Sequence, residues 1–242
     1  MKNWITSIAN ISLYLLSFCV SGTPKIASIS TVIFIVTNII YGLTLEEKLE
    51  WKKLLNYLPV VIFFIIIIIT FSYSPDYIIG LKIISKSQAL LLLPLVFWLR
   101  REVEAKIFKR ALQFYVFGVT FSILISLFFA FHNYLNSVKY SAFTYFDLSE
   151  TIGLHPTYFS LYILSAITII MLKLRLNKII SFIILLIFSV TILLLQSRIG
   201  IFSLFIVLIY CIYSLNSNYS KLVIGSILMF IILISSNSSG LK

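Results

Sequence analysis

Val60-Val61-Ile62-Phe63-Phe64-Ile65-Ile66-Ile67-Ile68-Ile69-Thr70-Phe71 carries no charge and a single hydroxyl. A surface helix keeps a polar stripe and a half-buried strand alternates in polarity. This run does neither, so it needs lipid or other helices around it. Ile179–Leu195 and Leu222–Ser235 read the same way. The whole chain follows them. Of its 242 residues, 60% are hydrophobic and 11% charged, with a mean hydropathy of +1.07. A soluble domain is about half apolar and about a quarter charged. The charge deficit leaves too little polar surface to cover a water-soluble globule of this length.

Apolar segments long enough to cross a bilayer, roughly 17–25 residues each, are expected at about 4–20, 26–43, 56–72, 77–99, 107–131, 154–172, 179–196, 199–215 and 221–236. Polar or turn-forming residues separate them: Ser21-Gly22-Thr23-Pro24, the charged run Glu46–Lys53, Ser72–Asp76, Arg100–Arg110, His132–Thr151, Lys173–Lys178, Gln196–Arg198 and Asn216–Lys221. The expected fold is therefore all-α, a polytopic membrane protein of about nine transmembrane helices in a single integral membrane domain spanning residues 1–242. A β-barrel would need strands of about ten residues alternating in polarity. No period of roughly 20–50 residues marks a repeat array.

The nineteen basic residues outnumber eight acidic ones, and their distribution orients the chain. With the amino terminus inside, Lys2, Lys48, Lys52, Lys53, Arg100, Arg101, Lys106, Lys109, Arg110, Lys173, Arg175, Lys178 and Lys221 fall on the cytoplasmic side. Lys25, Lys139, Arg198 and Lys242 fall outside. That asymmetry is the positive-inside pattern. It accounts for most of the net charge without a nucleic-acid partner, and puts the tail Ser235–Lys242 on the outer side. Cys19 and Cys211 sit in apolar stretches and read as buried thiols, with neither a disulfide framework nor metal-ligand spacing. The first apolar segment lacks a small-residue cleavage site and reads as a retained helix.

Polar residues that interrupt the apolar segments are the candidate site. Lys82 and Lys86 share one face of the fourth helix, roughly 7 and 13 Å below its outer end at about 1.5 Å per residue. Lys82 is near enough to snorkel to the interface; Lys86 is deeper and is expected to face an aqueous or anionic cavity. His155-Pro156 opens the sixth helix, either as an interfacial helix start or as the mouth of an outer pocket. Tyr158 and Tyr162 fit an aromatic belt. Asp147 and Glu150 fit a solvated outer loop. Arg198 lies outside, against the charge bias; it either reaches lipid phosphate or forms a fixed fork for phosphate or pyrophosphate. Helices six and seven are consecutive, so His155 and Arg198 are expected to be neighbours in a basic, outward-facing pocket for an anionic lipid headgroup.

Gly153-Leu154-His155-Pro156-Thr157-Tyr158-Phe159-Ser160, followed about forty residues later by Gln196-Ser197-Arg198-Ile199-Gly200, resembles the O-antigen ligase and O-antigen polymerase superfamily of bacterial envelopes. Ser87-Gln88-Ala89-Leu90-Leu91-Leu92-Leu93-Pro94-Leu95 is also similar to the helix preceding that core, and the resemblance spans roughly residues 80–235. It implies a metal-independent, cofactor-free inverting glycosyltransferase in the bacterial inner (cytoplasmic) membrane. Such an enzyme takes undecaprenyl-diphosphate-linked glycan on the outer face and passes it to a glycan or lipid acceptor in polysaccharide or lipopolysaccharide assembly. Arg198 would then bind the donor diphosphate, with Lys86, Lys82 and His155 nearby. Family members continue into a large periplasmic loop that carries their catalytic histidine and arginine. On that resemblance the 242 residues correspond to the amino-terminal part only. Neither His132 nor His155 matches the missing position, and catalytic residues stay unassigned. An incomplete chain that binds the donor without catalysing transfer is expected, unless a second polypeptide completes the site. A lipid-linked saccharide transporter or flippase, or a non-catalytic membrane assembly subunit, remains the alternative.

The composition makes one outcome immediate. Expressed in cells, the chain should stay in the membrane pellet through an alkaline carbonate wash and be released only by detergent. Recovery in the soluble fraction would contradict the membrane reading.

Overall fold

In the computed structural model, residues 2–45, 55–73, 77–100, 103–137, 140–174 and 177–215 are described. They form nine α-helices: α1 (Lys2–Cys19), α2 (Pro24–Leu43), α3 (Leu58–Ser72), α4 (Tyr77–Arg100), α5 (Ala105–Ser137), α6 (Tyr145–Glu150), α7 (Pro156–Leu172), α8 (Lys178–Leu194) and α9 (Arg198–Leu215). Short 3₁₀ turns precede α3 and α6, at Leu55–Tyr57 and Tyr140–Phe143. No strand occurs among the described residues. Pro24–Leu43 and Ala105–Asn136 are each long and apolar enough to cross a membrane; the remaining apolar helices are shorter. The expected segment 221–236 and the tail lie outside the described residues, as do the side chains of Lys82 and Lys86 on α4.

The chain divides into two compact units. The first comprises Met1–Leu16 and Ser28–Phe108. Its centre is polar. Arg100, only 3% exposed, closes the C-terminal end of α4. Its Nη1 donates to the Ala9 carbonyl (3.1 Å) and to Asn38 Oδ1 (2.7 Å), and its Nη2 donates to Asn10 Oδ1. Asn38 Nδ2 donates in turn to the Phe34 carbonyl (2.8 Å) and to Ser12 Oγ (3.1 Å). One guanidinium thereby ties α4 to the middle of α1 and to the last turns of α2. Apolar packing surrounds this knot. Phe34 is fully buried, with its ring 5.5 Å from Phe97, and the backbone of Gly42 lies against Leu99. Helices α3 and α4 pack along each other as a hairpin.

The second unit comprises Ser17–Ala27 and Lys109–Lys242. Helices α7, α8 and α9 pack together in it, joined in one core by α5 and α6. Phe159, Ile163 and Ile167 on α7, Phe188 and Ile192 on α8, Leu204 and Leu208 on α9, and Val119 and Ile123 on α5 are all buried there. Four-residue spacing gives each helix an inward stripe. On α5 a second stripe, Gly118, Ser122, Ser126 and Ala130, consists of small residues, all buried. At its head, a Cβ on Gly118 would stand 2.0 Å from the carbonyl oxygen of Phe18. Only a residue without a side chain permits that approach. One turn later Ser122 Oγ donates to the Ser21 carbonyl (2.9 Å).

Around these cores, many large apolar side chains are exposed and several small polar ones are buried. Phe63, Ile66, Ile69, Phe117, Phe121 and Phe128 are more than half exposed, while Ser21, Asn38, Ser126 and Ser160 are fully buried.

Helix ends fall within two residues of expectation, with one exception. Helix α5 was expected to stop at Phe131 and continues to Ser137. His132, Asn133 and Asn136 end the apolar pattern, but no glycine or proline breaks the backbone there, and Asn136 Nδ2 pairs with His132 Nε2 at 3.1 Å across one turn. Arg100, expected as a loop charge, is instead buried and bonded to acceptors from α1 and α2.

Removing that guanidinium leaves three acceptors without their donor. Arg100→Ala should therefore lower stability by on the order of 3 kcal/mol, read as a fall in the unfolding midpoint of the detergent-solubilised chain. Arg100→Lys should recover less than half, because an ammonium lacks the planar fork.

Candidate functional site

His155 is the N-cap of α7. Its backbone is extended, Pro156 fills the first helical position, and its Nδ1 accepts from the Thr157 amide at 3.3 Å. Proline suits this position because its missing N–H would be unbonded there anyway. With Nδ1 accepting, Nε2 is the ring nitrogen left to donate. The ring is exposed and stands edge to face with Phe146 (4.9 Å between centroids) and with Tyr158 (6.1 Å).

Arg198 opens α9 in a parallel way. The buried Ser197 supplies the cap, its Oγ accepting from the Gly200 amide at 3.1 Å. Arg198 itself is exposed. Just before them, Gln196 has a φ of 49°. Side-chain-bearing residues adopt that left-handed region at a cost of roughly 1–3 kcal/mol, so the turn from α8 into α9 is held in an unfavourable conformation.

Contact between the two helices brings these starts together. A Cβ on Gly200 would lie 2.7 Å from the Cβ of Ser160. Ser160 is one turn into α7 and Gly200 is in the first turn of α9. The N-terminal ends of α7 and α9 are therefore side by side, and glycine is what lets them approach. Each end carries the positive end of a helix dipole, and its capped amides are those of Thr157 and Gly200. Arg198 adds a cation at an end where cations are unfavourable by about 0.3–1 kcal/mol. An anion reverses the sign of that contribution, which makes the paired ends suited to phosphate.

An apolar cavity of about 110 Å³ lies in the same unit, lined by Phe18, Gly22, Thr23, Ile26, Phe121 and Ile152 among others. Its wall at Thr151 and Ile152 runs directly into Gly153 and His155.

Of the four residues expected at the site, His155 and Arg198 come to adjacent helix starts. Lys82 and Lys86 belong to α4 in the other unit, and their helix alone is described. The sequence reading missed α6. Its signal is short: Leu148 and Ser149 are buried, while Asp147 and Glu150 are exposed. It also missed the left-handed backbone at Tyr145 and Gln196, for which no glycine gives warning.

Comparison with protein-family models, with curated proteins and with solved structures gives no match to this chain.

The cap at His155 predicts a graded response. His155→Ala should destabilise by about 1 kcal/mol and His155→Asn by much less, since asparagine is a strong N-cap. Thermal unfolding of the two variants checks the order; equal loss in both would show that the ring's cap is not what matters.

Proposed function

We propose that the chain is a polytopic membrane protein of about nine spans, the ninth at residues 221–236, with its amino terminus in the cytoplasm. We further propose that the paired starts of α7 and α9 receive the diphosphate of a polyprenyl-diphosphate-linked glycan on the outer face of a bacterial cytoplasmic membrane. The many exposed phenylalanine and isoleucine side chains support the first statement, because an apolar outer surface suits hydrocarbon surroundings. The observation that carries the second is the Ser160–Gly200 contact, which sets two helix N-termini, His155 and Arg198 together. A diphosphate takes the guanidinium fork and the His155 Nε2 donor, at two positive helix ends. The cavity beside Ile152 suits the first carbons of an apolar tail. With the O-antigen ligase and polymerase resemblance, this points to donor binding in an envelope glycan transferase. Binding is assigned to these residues; no catalytic group is.

Arg198 is exposed, and that favours a second reading in which it only anchors to ordinary lipid phosphate, as in an assembly subunit. The two differ in selectivity. In nanodiscs of zwitterionic phosphatidylcholine, farnesyl diphosphate should bind the full chain, and Arg198→Ala should weaken it tenfold or more, since each charge-assisted bond is worth about 1.5–3 kcal/mol. Equal binding by the variant, or equal binding of farnesyl monophosphate by the wild type, would favour the anchor.

A further inference from the structure

Diphosphate binding leaves the aromatic side chains around His155 unused. Tyr145, Phe146, His155 and Tyr158 form a continuous ladder. Successive ring centroids are 4.4, 4.9 and 6.1 Å apart, with interplanar angles of 81°, 86° and 69°. Beneath it Leu148 and Phe159 are fully buried, whereas Tyr145, Phe146 and Tyr158 are 43%, 45% and 63% exposed. The ladder is thus the outer surface of a packed base.

Interfacial aromatic belts also expose tyrosine, but three features here do not follow from anchoring. The rings touch edge to face, and in each such pair one ring's face stays uncovered by the contact. Tyr145 has a φ of 52°, a conformation that costs a bulky L-residue about 1–2 kcal/mol; the neighbouring Gly153, at 68°, takes the same region freely. The strain is retained exactly where it seats a ring on the ladder. Finally, the short helix α6 that carries Phe146 exposes Asp147 and Glu150. Carboxylates are repelled by an anionic lipid surface, whereas they are strong acceptors for hydroxyl donors.

Ring faces for C–H groups and carboxylates for hydroxyls are the two halves of a carbohydrate site. We infer that the ladder of Tyr145, Phe146, His155 and Tyr158, with Asp147 and Glu150, is a subsite for a pyranose ring. The inference rests on the diphosphate reading, because a sugar bonded to a diphosphate held at the start of α7 lies within reach of His155 and the rings beside it. His155 joins the two subsites: Nδ1 holds the helix start, and Nε2–H is left for ligand oxygen.

Saturation-transfer NMR tests this on the full chain in nanodiscs. The probes are the methyl pyranosides of glucose, galactose, mannose and N-acetylglucosamine. At least one should receive saturation at its ring C–H protons when aromatic protons are irradiated. Tyr158→Ala should cut that transfer at least threefold. Tyr145→Gly should do the same while leaving the unfolding midpoint unchanged or higher, since glycine relieves the φ strain; a merely structural tyrosine would show the opposite. Farnesyl diphosphate binding, measured on the same samples, should be unaltered by both substitutions. If no pyranoside receives saturation from the wild type, or both variants match it, the subsite is overturned while diphosphate binding stands or falls on its own titration. If the variants keep sugar binding but partition less firmly into the bilayer, the ladder is an interfacial anchor and the inference is again overturned.

Discussion

The backbone's need for hydrogen bonds inside its own chain governs this structure. Long stretches offer neither charge nor water-seeking side chains, so amide and carbonyl groups find partners only in helices. Helix is then the default even through Pro94, which lies within α4. The same constraint concentrates chemistry at the few places where helices stop. The starts of α7 and α9 are closed by side-chain caps from His155 and Ser197, and it is there that histidine, serine and arginine occur together.

Once apolar side chains face outward, burying them no longer distinguishes one helix arrangement from another. Close backbone approach and polar contacts take over. Gly118 lets α5 meet the backbone at Phe18, and Gly200 lets α9 meet Ser160. In the first unit the guanidinium of Arg100 does the equivalent work, gathering acceptors from α1 and α2. Both units therefore use a few small or polar residues to fix geometry and a large apolar surface to satisfy their surroundings. The site inherits its precision from one such contact. Separating α7 from α9 by a single methyl group at position 200 would part the two helix starts while leaving His155 and Arg198 unchanged.

Much of the helix pattern was legible in the sequence, because apolar runs such as Val60–Phe71 end at abrupt polar boundaries and length alone delimits them. What stayed hidden was of two kinds. Helix α5 outran its apolar segment, since polarity ends a hydrophobic run but does not end a helix. Arg100 looked like one of several loop cations, because burial of a charge depends on acceptors supplied by Asn10 and Asn38, far away in sequence. Within the site, His155 and Arg198 stood out as polar interruptions of apolar segments. The contact that pairs them was not legible, because Ser160 and Gly200 are ordinary small residues until their helices are packed. The ladder was half visible: Tyr158 read as a belt residue, and the left-handed backbone of Tyr145 had no sequence signature.

Everything functional here depends on the turn at Gln196 being outside the cell membrane and next to a bound diphosphate. The most direct measurement is the labelling rate of Gln196→Cys, with Cys19 and Cys211 replaced by alanine, by a membrane-impermeant maleimide on intact cells with the outer envelope removed. The account predicts labelling without permeabilisation, slowed by farnesyl diphosphate and unaffected by farnesol. Labelling only after lysis would invert the topology, and an unchanged rate in farnesyl diphosphate would remove the ligand from the starts of α7 and α9.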